Sequence, residues 1–368
     1  MNIDFSLTIV SEGTTQLIVP ADFSSSGPST SSMPVFYNPE MEFNRDVSVA
    51  LLANQLKDDD SFLDGLTAAG SRGIRIAHES GKNIRLHLND RNPLSVELAD
   101  RNVRLNGISD AIVTVKDLRG LLLEESFDCI DIDPFGSPAP FFPMAIGAVR
   151  NGGILCVTAT DTGTISGIFS NASLRKYGSR ARRTPFPHEI GVRNLVGFIA
   201  REAARYDVGI EPILSYYSDH YVRTFVRLNK GAKKADDSLR RLGFCYYDDE
   251  TLDRFYCADQ ERGSIGPIWI SATCDSAAIT ELRMPQHLKN ADKIVDLFGL
   301  LSQEAHFNRP FFNVDEFARK LKTNPPKMSE LLDRLNEIGK ASKTHYAPKT
   351  FTTDVSIEDI RRTLVPNF

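Results

Sequence analysis

The sequence predicts an α/β protein: a doubly wound, Rossmann-like sheet followed by a smaller C-terminal α+β domain that is winged-helix-like in outline. Three observations point to it. Between residues 61 and 158, short apolar runs of strand length alternate with segments of helical spacing, an order that calls for right-handed crossovers on an open sheet. Three strand-end positions carry carboxylates, Asp90, Asp117 and Asp133, where open α/β sheets bind ligands. A charged break at 230–237 then separates this pattern from a region that returns as three short helices and a ribbon. The expected division is 1–229 and 230–368.

Taken in order, residues 1–35 are polar and rich in Ser and Thr, the composition of a short hairpin followed by a loop that frames the site. Residues 47–56 have helical spacing. The run Phe62-Leu63-Asp64-Gly65-Leu66 is a first strand leading into Ala68-Ala69-Gly70, and 71–80 is a helix with Ser71 as N-cap. A second strand covers 84–88, and Pro93 opens a helix that closes on Asn106-Gly107. Strands follow at 111–115 and 127–132, then a helix at 143–149 and a strand at 153–158 after an Asn151-Gly152-Gly153 turn. Past a helix at 188–206, the runs 210–215 and 221–227 complete the sheet, the second alternating in strand fashion. Helical spacing resumes at 294–298. Asn313 caps a helix through Leu321, 328–338 is a third helix ending on Gly339, and 343–353 forms a ribbon.

Length and composition are those of a two-domain globular protein with a sizeable core. No apolar run reaches the roughly 18 residues a membrane span needs, and the N-terminus lacks the order of a signal peptide, so a cytoplasmic location is expected. A monomer is expected as well. Cys129 and Cys156 lie in strand-like runs, and Cys245, Cys257 and Cys274 are too widely spaced for a zinc site, so no metal is expected. Net charge is −5, which counts against a nucleic-acid partner on the whole. The distribution argues otherwise locally: Arg175, Lys176, Arg180, Arg182, Arg183, Arg193, Arg201 and Arg205 stand against only Glu189 and Glu202. Such a segment meets phosphates or is a solvated face, and composition weighs the two equally.

The chemistry concentrates at Asp131-Ile132-Asp133-Pro134-Phe135-Gly136-Ser137-Pro138, a proline-stiffened turn after a buried strand. Pro134 has a fixed φ and no N–H, leaving nearby carbonyls to accept from a substrate amine, and Phe135 offers a flat apolar face. Acceptors beside a ring suit a nucleobase amino group. An isolated Asp-Pro is more often just a turn, and it is the upstream residues that shift the balance. Gly65 and Gly70 let backbone approach a ligand, and Asp90 lies about 20 residues beyond Gly70, the interval of a carboxylate that takes a ribose diol. Asp117, followed by Leu118, can accept from an adenine amine. No GxGxxG is present, which favours a nucleoside without a pyrophosphate, and S-adenosylmethionine is such a ligand. Arg45 can hold its methionine carboxylate bidentately. The alternative is that Asn44 or Asp46 caps a helix while Arg45 makes a surface ion pair. Arg72 and Arg75 face either that carboxylate or solvent. Phe36, Tyr37 and Asn38 combine two aromatics with a rigid turn on the substrate side.

Together these segments resemble the tRNA (guanine-26 N2)-dimethyltransferase family, an archaeal-type class I S-adenosylmethionine-dependent methyltransferase. The resemblance rests on Phe36-Tyr37-Asn38-Pro39 with Asn44-Arg45-Asp46, on Gly70-Ser71-Arg72-Gly73-Ile74-Arg75, on 131–138, and on Thr158-Ala159-Thr160-Asp161-Thr162. Asp219-His220-Tyr221-Val222-Arg223, Gly266-Pro267-Ile268-Trp269 and Thr344-His345-Tyr346 extend it over nearly the whole chain. It implies methylation of the exocyclic N2 of guanine 26 in tRNA, once and then again. Asp133, Pro134 and Phe135 would be catalytic, with Arg180, Arg182 and Arg183 among the residues that meet tRNA and the C-terminal domain binding it too. Two positions depart from the pattern. Ala69 stands where threonine is usual, and the paired cysteines of zinc-bearing relatives are missing around Cys245 and Cys257. Two other functions use related features: DNA adenine-N6 methylation, because Asp-Pro-Phe-Gly is similar to Asp-Pro-Pro-Tyr, and non-catalytic RNA binding on the same fold. Phe135-Gly136 and the Asn44-Arg45-Asp46 block argue against the first, and an intact Asp133 against the second.

Overall fold

The computed structural model describes residues 4–22 and 33–364, so most of the loop expected before residue 35 lies outside the described residues. By its internal contacts the chain forms two units: Met1–Pro134, Pro140–Val157 and Glu281–Val295 in one, and Phe135–Ala139, Thr158–Thr280 and Asp296–Phe368 in the other.

In the first unit, β1 (Leu7–Glu12) and β2 (Thr15–Pro20) form the expected hairpin, turning at Gly13 with φ of 56°. A short 3-10 turn leads into α1 (Glu42–Gln55). Then β3 (Ser61–Asp64), α2 (Ser71–Glu79), β4 (Arg85–Asp90), α3 (Pro93–Leu105), β5 (Ile112–Val115), α4 (Leu118–Glu124), β6 (Phe127–Ile132), α5 (Phe142–Ala148) and β7 (Val149–Ala159) alternate as predicted. Helix α1 starts five residues earlier than its apolar spacing suggests, because Asn44, Arg45 and Asp46 are inside the helix and buried by polar partners rather than capping it. Strand β7 is also longer than expected. Residues Asn151-Gly152-Gly153 sit within it at a register shift, and a Cβ on Gly153 would come 2.5 Å from the Asp128 carbonyl oxygen.

In the first unit the strand order is β5-β4-β3-β6-β7, and in the second β8 (Val208–Ser218) and β9 (Tyr221–Lys230) are an antiparallel pair. Strand β3 pairs in parallel with both β4 and β6. The chain therefore winds outward from β3 to β5 and returns on the other side of β3, which makes the carboxyl ends of β3 and β6 the switch point where such sheets bind ligands.

The second unit continues with α6 (Thr162–Ile165), α7 (Ser170–Tyr177) and α8 (Pro187–Ala204), the last ahead of β8. The charged segment at 230–237 is largely helical, as α9 (Ala232–Leu239). It packs on β8, where Ser238 Oγ accepts from the Ile210 amide at 2.8 Å, so the charges mark a helix's solvent face. Strands β10 (Leu242–Tyr247), β11 (Arg254–Cys257) and β12 (Ile265–Trp269) make a separate three-stranded sheet, followed by α10 (Ser276–Thr280). After α11 (Ala291–Glu304) come β13 (Phe312–Asn313), α12 (Val314–Leu321), α13 (Met328–Asn336), β14 (Ala341–Lys343), β15 (Thr350–Thr353) and α14 (Ile357–Leu364). From α11 to β15 the order helix, strand, helix, helix, strand, strand is that of a winged helix, around a core that includes Phe312, Phe317, Leu331, Leu335 and Phe351. Asn313 caps α12 as expected, accepting from the Asp315 amide.

Candidate active site

Strands β3 and β6 run side by side with Asp64 opposite Asp131, and both carboxylates are buried. Two adjacent buried carboxylates do not both ionise easily. Burial first, and then the charge of Asp131, push Asp64 up to about 7, opposed by Arg72, the Thr67 hydroxyl and the Gly73 amide. Arg72, on the first turn of α2, is the hub. Its Nη1 donates to Asn44 Oδ1 at 2.6 Å and Ser48 Oγ at 2.8 Å, its Nε lies 3.5 Å from Asp131, and its Nη2 pairs with Asp133. Asp133 is the first residue beyond β6, its side chain 22% exposed, so the guanidinium fixes a carboxylate that still opens outward. Pro134 behind it is buried.

The turn after β3 is built for close approach. Gly65 donates to the Asp131 carbonyl at 3.0 Å, and a Cβ there would lie 2.8 Å from the buried Leu118 side chain. Gly70 takes a left-handed φ of 83° at the start of α2. Asp90 accepts from the Ala68 amide at 3.0 Å and the Asn92 amide at 2.9 Å, one bond to each oxygen, and is half-buried, which leaves lone pairs for a diol. Asp117 is exposed, caps α4 and pairs with Arg119, whose hydrogen bonds hold its carboxyl down at about 2. One further donor was not foreseen. Arg72 orients the Asn44 amide, leaving Asn44 Nδ2 buried with no hydrogen-bond partner among the described residues. Two strand-end acceptors, a glycine turn and an orphaned amide donor form a set that fits the nucleoside and the carboxylate of S-adenosylmethionine.

Several expected site residues are engaged by other side chains and backbone of the same unit. The fork of Arg45 grips a carboxylate as predicted, but that carboxylate is Glu12, with Nε to Oε2 at 2.7 Å, and a further bond goes to the Asn38 carbonyl. Arg75 is fully buried among Glu12, Asp46 and Glu79 at 3.2, 2.7 and 2.8 Å, so it does not face solvent. Tyr37 is buried, donating its hydroxyl to Glu12 at 2.6 Å, and Asn38 caps the 3-10 turn through the Glu40 amide. Phe36 is half-buried. Glu12 escaped the sequence reading because its partners Tyr37, Arg45 and Arg75 lie 25, 33 and 63 residues away, and nothing local marks it.

In the second unit, Phe135 is 66% exposed. Its neighbours are clamped. Gly136 donates to Thr160 Oγ1 at 2.7 Å and accepts from the Thr160 amide at 3.0 Å, while Ser137 donates to Tyr177, which donates to Asp161 at 2.6 Å. Of the basic cluster, Arg175, Lys176, Arg180, Arg183 and Arg205 are exposed. Arg182 is partly committed, donating to the carbonyls of Tyr247 and Gly263. Arg193 and Arg201 are engaged inside the unit. The first is buried against Glu189 and the Trp269 and Ser271 carbonyls, and the second donates to the Pro267 and Tyr177 carbonyls, its burial lowering its pKa to about 10.

Strand order, switch-point acids and the nucleoside-type turn together define an α/β protein of the class I methyltransferase type. The chain matches the model of the N2,N2-dimethylguanosine tRNA methyltransferase family over residues 13–365 and belongs to that family. It is 40% identical over 364 residues to the tRNA (guanine(26)-N(2))-dimethyltransferase of Metallosphaera sedula, covering 94% of this chain and 93% of the relative. The enzyme of the same name from Thermococcus kodakarensis is 37% identical, with 95% and 96% covered. Trm1 from Pyrococcus horikoshii, solved in complex with S-adenosyl-L-methionine, superposes with a TM-score of 0.87 at 34% identity, covering 97% of this chain and all of that one.

Proposed function

We propose that this chain is an S-adenosylmethionine-dependent methyltransferase that methylates the exocyclic N2 of guanine 26 in tRNA, once and then a second time. One observation carries it: Asp133, half open and held by Arg72, directly precedes Pro134 and the exposed ring of Phe135. When bound, S-adenosylmethionine supplies an electrophilic methyl on sulfur. The guanine amine is a weak nucleophile because its lone pair is delocalised into the ring, so alignment matters more than acidity. Asp133 accepts a hydrogen bond from N2–H and takes or relays that proton. The Pro134 carbonyl accepts the second hydrogen, and Phe135 stacks on the base to hold it in plane. Asp90 would take the ribose diol, Asp117 and Leu118 would hold the adenine, and Asn44 Nδ2 would donate to the methionine carboxylate in the place expected of Arg45.

Residues 1–229 are proposed as the methyl-transfer domain and 230–368 as a tRNA-binding domain. The enzyme is proposed to act as a monomer, and a tRNA substrate supports a cytoplasmic location. No helix among the described residues is long and apolar enough to cross a membrane. The test is mass analysis of nucleosides from a tRNA transcript incubated with enzyme and S-adenosylmethionine. N2-methylguanosine followed by N2,N2-dimethylguanosine at position 26 is expected. Methylation confined to adenine in DNA, or none at all, would overturn the proposal.

A further inference from the structure

The loop between α6 and α7 carries two large apolar side chains in the open, Ile168 at 45% and Phe169 at 61% exposure, with Leu174 at 42% one turn on. Packing does not explain them, yet their backbone is rigidly made. Phe169 donates to the Gly163 carbonyl at 3.0 Å, and Gly167 donates to the Thr164 carbonyl at 3.2 Å. Gly167 has φ of 88°, and a Cβ there would lie 2.6 Å from the Arg182 amide, so the loop is pressed against the Arg180–Arg183 segment. The Phe169 ring lies against Gly163, where a Cβ would come within 2.9 Å of it. The same element is tied to the 135–139 loop through Thr160 with Gly136 and through Tyr177 with Ser137.

Charge supplies the second observation. From Thr162 to His188 the sequence contains Arg175, Lys176, Arg180, Arg182 and Arg183 and not one Asp or Glu. An exposed apolar pair on a stretch whose own charges are all basic, with Lys176 shared with Asp161 at 3.3 Å, is complementary to a nucleic acid whose stacking is broken, since phosphates meet the arginines and an unstacked step receives the apolar side chains.

We propose that Ile168 and Phe169 form an apolar wedge that enters tRNA beside guanine 26 and fills the space that base leaves when it is extruded, with Arg175, Lys176, Arg180 and Arg183 on the flanking phosphates. The inference rests on the tRNA guanine reading above. A base inside a stacked helix cannot reach Asp133, and a side chain that occupies the vacancy stabilises the extruded state.

The test compares wild type, Phe169→Ala, the Ile168→Ala/Phe169→Ala double variant and Phe169→Leu. Turnover is measured on a tRNA transcript, and base extrusion by fluorescence of 2-aminopurine placed at position 26. Phe169→Ala should lose turnover by about tenfold or more and lose the fluorescence rise on binding. Cofactor binding, thermal midpoint and the salt slope of tRNA affinity should stay unchanged, and Phe169→Leu should recover most of the activity. A double variant with wild-type turnover and fluorescence overturns the wedge. So does a variant whose thermal midpoint and cofactor binding fall together with turnover, because Phe169 would then be holding the fold. A wild-type enzyme that leaves guanine 26 unmethylated defeats the functional reading itself, which keeps the two failures distinct.

Discussion

Arg72 touches Asn44, Ser48, Asp131 and Asp133, so the Asp133 carboxylate is held by a residue that is itself held on three sides. Losing Asp133 removes little packing. Asp133→Ala should keep its thermal midpoint and bind S-adenosylmethionine in calorimetry, yet lose about 10²-fold or more in methyl transfer. Near wild-type turnover would refute the mechanism. Asp90→Ala should weaken cofactor binding by about 1.5–3 kcal/mol, the range for hydrogen bonds to charged groups, and unchanged affinity would remove Asp90 from the site. Glu12 makes a prediction about pH. Burial alone would raise its carboxyl, but Arg45, Tyr37 and Arg75 outweigh that and bring it from an ordinary 4.5 to about 2. Between those values the unfolded chain binds the proton and the folded chain does not. The stability Glu12 contributes is therefore complete above pH 4.5 and is lost as pH falls towards 2, on the order of 3 kcal/mol in all. Urea unfolding of Glu12→Gln should show lower stability than wild type at pH 6 and a smaller loss on acidification.

At the scale of elements, buried arginines join segments that hydrophobic burial alone would leave loosely registered. Arg254 on β11 pairs with Glu316 on α12 at 2.7 Å, donates to the Phe311 carbonyl at 2.9 Å, and lies 4.6–4.9 Å from the rings of Phe186, Tyr247 and Phe312. Arg254→Ala would leave Glu316 buried without its counter-charge, and breaking a buried pair in this way costs about 3–5 kcal/mol. The prediction is a matching fall in unfolding free energy; a loss under about 1 kcal/mol would mean that water reaches the pair. Glu12 does the same work in the hairpin, tying β1 to α1 through Arg45 and to α2 through Arg75.

Across the whole molecule, a net charge of −5 sits on a chain that must hold a polyanion, so local arrangement decides affinity. The exposed Arg180 and Arg183 offer phosphate contacts, whereas Arg193 and Arg201 are consumed inside the unit. Replacing Arg180 and Arg183 with Ala should weaken tRNA binding and flatten its dependence on salt by about one unit of slope for each phosphate left without its arginine. If affinity and slope both hold, these arginines are a solvated face and the winged helix carries the binding.

What the sequence by itself determined is local. Apolar runs, Pro93, Asn313 and the strand-end acids at Asp90 and Asp133 are each legible within a few residues, because burial period and caps act over one or two turns. So the alternation of strands and helices, the hairpin at the start and the placement of the 131–138 loop were readable. The partner each arginine takes was not. Arg45 looks like a ligand fork from sequence, yet it grips Glu12, 33 residues away; Arg75 combines its i,i+4 neighbour Glu79 with the distant Asp46 and Glu12, and Arg72 finds Asp133 at a separation of 61. A buried charge is committed only when a distant carboxylate is folded against it, and no periodicity records that pairing. The same cause moved the start of α1, since Asn44 and Asp46 read as caps until tertiary partners bury them inside the helix.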